Sequence, residues 1–383
     1  MRDIKFKYKL LLILFFIVLL TSLWPNNIYL LVLFSLLTYL VLPLNKYWDG
    51  LAIVIFIFSI LYSIMTVMSN QYGSGFVLLS YLVAPVAFYR FGEWMLSNFT
   101  KESTRQKLFL LIITCYLAWL FVLTIKDIAL VGIVNVSRTL LADINDNGTL
   151  AATLYGLMAS VGIGCIASLF AKGQDTKLRL GFVILCLLSL LVVIHLVNRT
   201  GLVIFVTCTF IFFMVSARRN LVKIVPTLLL LIILGFVILN YGFVDGDIID
   251  AYQQRELNST NSASQLGGRS AIWSDAIKQL ITHPFGWPLT HYAHNLWLDI
   301  ARVGGWLSLF PFIVASIVWL KKWLHLMKIH TTFALILGSV NLAILLAAFV
   351  EPVIEGSILF FSIMMMVWGF TTVVSKENLK AIQ

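Results

Sequence analysis

The feature that most constrains this chain is the recurrence of uninterrupted apolar runs of bilayer length. A helix needs about 20 apolar residues to cross the hydrocarbon core. Such runs fall near 10–24, 27–44, 51–69, 76–90, 107–125, 149–171, 180–197, 201–217, 221–241, 294–320, 331–350 and 357–374. Backbone crosses lipid only when each N–H and C=O is bonded within its own helix or within a closed barrel. The alternating period of a barrel is absent, so the runs predict helices. At 60% hydrophobic and 11% charged residues, the composition excludes a soluble domain. The expectation is an all-α polytopic integral membrane protein with about twelve transmembrane helices. Residues 1–383 form a single transmembrane domain, with a large loop at 242–293 between the ninth and tenth helices.

Charge sets the orientation. Arg2, Lys5, Lys7 and Lys9 ahead of the first run resemble a secretory signal, but Ser22, Leu23, Trp24 and Pro25 offer no small-residue cleavage site, so this run reads as a retained first helix. With the amino terminus in the cytoplasm and the runs alternating, twenty Lys and Arg fall on the cytoplasmic side and seven on the other. Basic residues concentrate on the cytoplasmic side of membrane proteins. Both termini are therefore expected in the cytoplasm, with the gaps 126–148 and 242–293 outside. This asymmetry accounts for the formal charge of +10 without a nucleic-acid partner. Cys115, Cys165, Cys186 and Cys208 all lie inside apolar runs, with neither metal-ligand spacing nor a disulfide framework.

Polar chemistry gathers in one stretch, Gly267 to Pro311. After Gly267-Gly268-Arg269-Ser270, the residues Ile272, Trp273, Ala276, Ile277, Leu280 and Ile281 recur at helical spacing, predicting an amphipathic helix at a membrane surface. His283-Pro284-Phe285-Gly286-Trp287-Pro288 then stops and turns the chain, and His294-Asn295 opens the tenth run. Arg269 at a helix start suits phosphate, since the terminal N–H groups and a guanidinium both attract anions; it is equally a solvated loop arginine. Arg199, between two apolar runs in Asn198-Arg199-Thr200, is either an arginine snorkelling to headgroups or a fixed anion donor. His294 is a candidate general base or a histidine bonded to nearby backbone. His291, Glu351 and Arg302 are secondary candidates, and Asp299 and Arg302 stand three apart, able to pair with each other. Asp245, Asp247 and Asp250 fail the calcium-loop pattern and read as a solvated face. No phosphate-binding glycine loop and no zinc motif occurs, so neither a metal nor another cofactor is expected. Acidic residues at mid-membrane are few, which argues against an ion-coupled transporter.

Three of these stretches together resemble the O-antigen ligase and O-antigen polymerase superfamily of bacterial envelope glycosyltransferases. Asn198-Arg199-Thr200 is similar to its Ser-Arg turn. Gly268-Arg269, Trp273 and His283-Pro284-Phe285-Gly286-Trp287 are similar to its arginine–tryptophan–Pro-x-Gly loop. His294-Asn295, then Gly305 after nine intervening residues, is similar to its histidine motif. The resemblance is best over 190–360. Asn198 in place of serine and Ser308 in place of Gly, Thr or Tyr depart from the pattern and weaken assignment to the ligase branch.

The resemblance implies transfer of an undecaprenyl diphosphate-linked glycan to a sugar hydroxyl at the periplasmic face of the bacterial inner membrane, in surface polysaccharide synthesis. Arg199 and Arg269 would hold the diphosphate and His294 would take the hydroxyl proton. The acceptor is a growing glycan for a polymerase, the favoured branch, or lipid A-core for a ligase. Membrane lipid and a chain-length regulator are the further partners expected. A lipid-linked glycan flippase or other transporter is the alternative, although no internal repeat between the halves supports it.

Overall fold

The computed structural model describes residues 6–24, 27–43, 48–69, 73–135, 139–141, 149–171, 173–217, 250, 269–288, 292–329 and 331–382. The expected span at 221–241, His291, Asp245 and Asp247 lie outside the described residues. The helices are α1 (Phe6–Leu20), α2 (Asn27–Val41), α3 (Gly50–Met68), α4 (Gly75–Asn98), α5 (Glu102–Val131), α6 (Ala152–Ile163, continued by 3-10 turns over Gly164–Phe170), α7 (Thr176–His195) and α8 (Arg199–Ala217). They continue as α9 (Arg269–Thr282), α10 (Leu296–Leu326), α11 (Thr332–Val350) and α12 (Ile358–Ile382). A short antiparallel ribbon pairs β1 (Thr139–Leu141) with β2 (Thr149–Ala151). Among the described residues, nine helices are long and apolar enough to cross a membrane: α3 to α8, and α10 to α12. At 15 residues each, α1 and α2 are shorter apolar helices.

Burial separates two layers of exposure. α12 is almost wholly enclosed and packs chiefly on α4, while α10 packs on α3 and α11 packs on α6 and α8. The outer helices keep residues such as Ile57, Leu111, Leu187 and Val206 exposed. A soluble protein would bury such side chains; here they form the lipid-facing surface that apolar helices require. The four cysteines are free thiols in helical segments, three of them buried.

The ends of the bundle are built differently. At one end Asp49 binds Lys322 at 2.9 Å and Lys376 at 3.1 Å, and Arg105 grips Glu377 with two nitrogens at 2.6 and 2.7 Å. These pairs tie α3, α5, α10 and α12 together. The other end carries the α7–α8 turn, α9, the start of α10 and the turn 351–357 between α11 and α12. Asn198 packs over Gly156, and Gly356 approaches Leu157, so α6 brings these turns to one level.

Several limits differ from the sequence expectation. α4, α5 and α10 outrun their apolar runs, carrying Glu93, Lys126, Lys321 and Lys322 into helix. Arg90, the last residue of its run, is fully buried between the rings of Tyr39 and Trp48, which explains how its charge is accommodated within α4. His294 does not begin the tenth helix: it precedes α10 in a left-handed conformation, φ 51°.

Candidate functional site

The site end is organised by a break in α10. Gly305 adopts φ 53° and ψ −147°, which no helix permits. In an unbroken helix the Trp306 N–H would bond the Arg302 carbonyl. Here the loop after α9 satisfies both groups. Trp306 N donates to the Pro284 carbonyl at 2.9 Å, and the Arg302 carbonyl accepts from Trp287 N, also at 2.9 Å. Gly286, at φ 105°, faces the Arg302 and Val303 carbonyls so closely that a β-carbon would collide with them, and a β-carbon on Gly305 would strike Pro284. The two glycine motifs seen in the sequence are thus the two halves of one backbone dock. It seats the end of α9 on the kink of α10.

The same docking holds the His294 segment. Trp273 on α9 donates its indole N–H to the Ala293 carbonyl at 2.7 Å. Asp299, one turn into α10, accepts from Ala293 N at 2.8 Å and from Asn295 N at 3.2 Å. Asn295 caps α10 by accepting from Trp297 N and Leu298 N, and donates to the Phe349 carbonyl at 3.1 Å. The residues on either side of His294 are therefore fixed by α9, α10 and α11, and the histidine is held in a strained conformation that its neighbours over-determine.

Glu351 joins two of the candidates. Its carboxylate, 3% exposed, lies 3.4 Å from Arg269 Nη2 and 3.9 Å from His294 Nδ1. Arg269 is the first residue of α9, as the sequence predicts. Burial pushes the His294 imidazole below its ordinary pKa, and the Arg269 charge pushes the same way. The nearby carboxylate, shared with Arg269, does not offset them. Asp299 and Arg302 do not pair with each other, in contrast to the sequence reading. Asp299 serves the backbone ahead of α10, while Arg302 pairs with Glu355 and lies over the Tyr292 ring. Thus Glu351 and Glu355, one turn apart, clamp the 351–357 turn to the elements on either side of His294.

Arg199 sits at the first position of α8, after a three-residue reversal from the end of α7. α7 ends in a left-handed residue, Val197 at φ 48°, with Val197 N bonded to Ile194 O at 3.0 Å and Asn198 N to Val193 O at 2.9 Å. Glycine usually fills that place; a β-branched residue there is strained. Asn198 then caps α8, accepting from Gly201 N at 3.1 Å. A group missed in the sequence holds this reversal. His195, fully buried, presents Nδ1–H to the Ile133 carbonyl at 2.8 Å and Nε2 to Asp127 Oδ2 at 2.7 Å. Asn135 donates to the same carboxylate at 2.5 Å, and its backbone N–H bonds His195 O. Asp127, just past one apolar run, and His195, inside another, are 68 residues apart, so spacing could not connect them. Arg199 thus reaches the site end on α8, a helix that packs along α11, whose far end is Glu351.

No curated protein matches the chain. A family model described as O-antigen ligase matches residues 184–294, a segment that contains Arg199 and Arg269 and ends on His294. This stretch of the chain is therefore similar to the O-antigen ligase family.

Proposed function

We propose that the protein is a membrane glycosyltransferase that moves a glycan from a polyprenyl diphosphate to an acceptor sugar hydroxyl, working as a polymerase. The observation that carries this reading is the Arg269–Glu351–His294 cluster, two potential cations about one buried carboxylate, at one end of a lipid-facing helical bundle. The acceptor oxygen attacks the anomeric carbon of the donor, and its proton passes to neutral His294. The bond from that carbon to the diphosphate oxygen breaks, the electron pair leaves with the lipid diphosphate, and His294 later returns the proton to water. Arg269, with Arg199 from α8, counters the charge that grows on the diphosphate. Fixed donors aimed at developing charge are the largest common contribution to catalysis. Glu351 holds Arg269 in place until the diphosphate competes for it.

A membrane-bound donor also needs lateral access. A cavity of about 960 Å³ between α2, α3 and α4 runs from Val67 and Gly75 at the site end toward Tyr39 and Trp48, with an almost wholly apolar lining. A prenyl chain is the part of the donor that such a lining suits. The site end faces the periplasm of the inner membrane in this reading, following the charge asymmetry.

The test is purified protein, a polyprenyl diphosphate glycan and gel analysis of products. A ladder of lengthening glycans supports the polymerase. Single transfer to lipid A-core would assign the ligase branch, and a donor moved across the bilayer without a new glycosidic bond would sink the enzyme reading.

A further inference from the structure

A second, smaller cavity of about 250 Å³ lies between α9 and α10. It is below the roughly 300–1,000 Å³ of pockets for drug-sized ligands, leaving room for about one sugar ring. Ala271, Ala276 and Ala293 give it small apolar walls, while Asp275, Trp287 and Arg302 bring a carboxylate, an indole and a guanidinium to it. Ala293 immediately precedes His294, so the cavity shares a wall with the candidate base. Its frame is the dock described above: Trp287 N is bonded to the Arg302 carbonyl, and Trp273 to the Ala293 carbonyl. Two features decide what it could hold. Asp275 is an exposed carboxylate of α9 that borders the cavity. Arg302 carries its charge beside the cavity already balanced by Glu355.

We infer that this cavity seats the terminal sugar of the acceptor, in the reading proposed above, with Asp275 accepting hydrogen bonds from its hydroxyls. The chemistry is that of a carbohydrate subsite. Small apolar walls and an indole meet the C–H faces of a ring, and a carboxylate accepts from two hydroxyls at once. The charge balance selects the sugar. Arg302 is neutralised by Glu355, Lys278 one turn beyond does not border the cavity, and Asp275 leaves the surroundings negative. The cavity therefore takes a neutral or amino sugar and rejects a uronic acid. Sequence could not reveal it, since Asp275 reads as one polar residue on the wet side of an amphipathic helix.

Saturation-transfer NMR on the full-length protein in detergent tests this, using methyl glycosides of neutral hexoses and N-acetylhexosamines beside the matching hexuronides. Neutral glycosides should receive saturation and hexuronides should not. Asp275→Asn and the rim substitution Ala271→Phe should each abolish the signal and raise the acceptor KM roughly 10-fold or more, the worth of a hydrogen bond to a charged group, with donor KM unchanged. Equal signals from hexuronides, or an unchanged acceptor KM in both variants of a transferring enzyme, would overturn the assignment. Sugar binding that is lost in both variants, in a protein that makes no transfer product, would uphold the cavity and remove the transferase reading instead.

Discussion

At the scale of single residues, the proposed reaction depends on keeping one histidine neutral and two arginines in place. A base must be unprotonated to accept the hydroxyl proton. Burial and Arg269 both depress the His294 pKa, so the acidic limb of the pH–rate profile should lie below about pH 6.5, the ordinary value for histidine. Arg269→Gln removes one depressing charge and leaves Glu351 beside the ring, so the limb should move to higher pH. A limb that stays put or moves down in Arg269→Gln would contradict the electrostatic description. His195 acts at a distance, through the reversal that presents Arg199. His195→Ala leaves the buried Asp127 carboxyl bonded only by Asn135 among the described residues, and a buried polar group short of a partner costs roughly 1–3 kcal/mol. Adding Asp127→Asn should recover part of that loss in thermal denaturation. No recovery in the double variant would contradict that coupling. The arginines and His294 were legible as residue types in unusual places. Asp299 was visible too, yet its partners are backbone groups five residues or so behind it, and only the fold reveals those.

At the scale of elements, the two glycine motifs work as a single joint. The apolar runs located the described membrane helices because length and hydropathy decide what can sit in lipid, although α4, α5, α10 and α12 extend well beyond their runs. The joint was not legible, because it consists of backbone groups left over at a helix break, and side-chain patterns do not encode those partners. Polar side chains inside long helices, such as Arg90 and Lys322, also blurred helix limits, since each finds a partner distant in sequence. Gly305→Ala and Gly286→Ala each force a β-carbon into a positive-φ residue facing backbone carbonyls, so each should destabilise by about 1–3 kcal/mol. Both should also lower transfer, because α9 carries Arg269 and the Trp273 bond to the His294 segment. Melting of the purified variants checks the first effect; an unchanged Tm in both would remove the joint from the description.

At the scale of the whole molecule, one end of the bundle is laced by ion pairs and the other holds strained turns, buried carboxylates and cavities. In the proposed reaction the second end lies in the periplasm. Ser274 is exposed on α9, so a cysteine there should react with an impermeant thiol reagent added to intact spheroplasts. Reaction only after the membrane is opened would reverse the orientation. The central claim is that this end makes a glycosidic bond from a lipid diphosphate with His294 as the base. The most direct measurement is the rate of lipid diphosphate release, coupled to glycan transfer, by wild-type and His294→Ala protein in proteoliposomes. The account predicts a loss of roughly 10²–10⁴-fold in His294→Ala, with the polyprenyl diphosphate donor still bound through the arginines; a His294→Ala protein that transfers at close to the wild-type rate would contradict it.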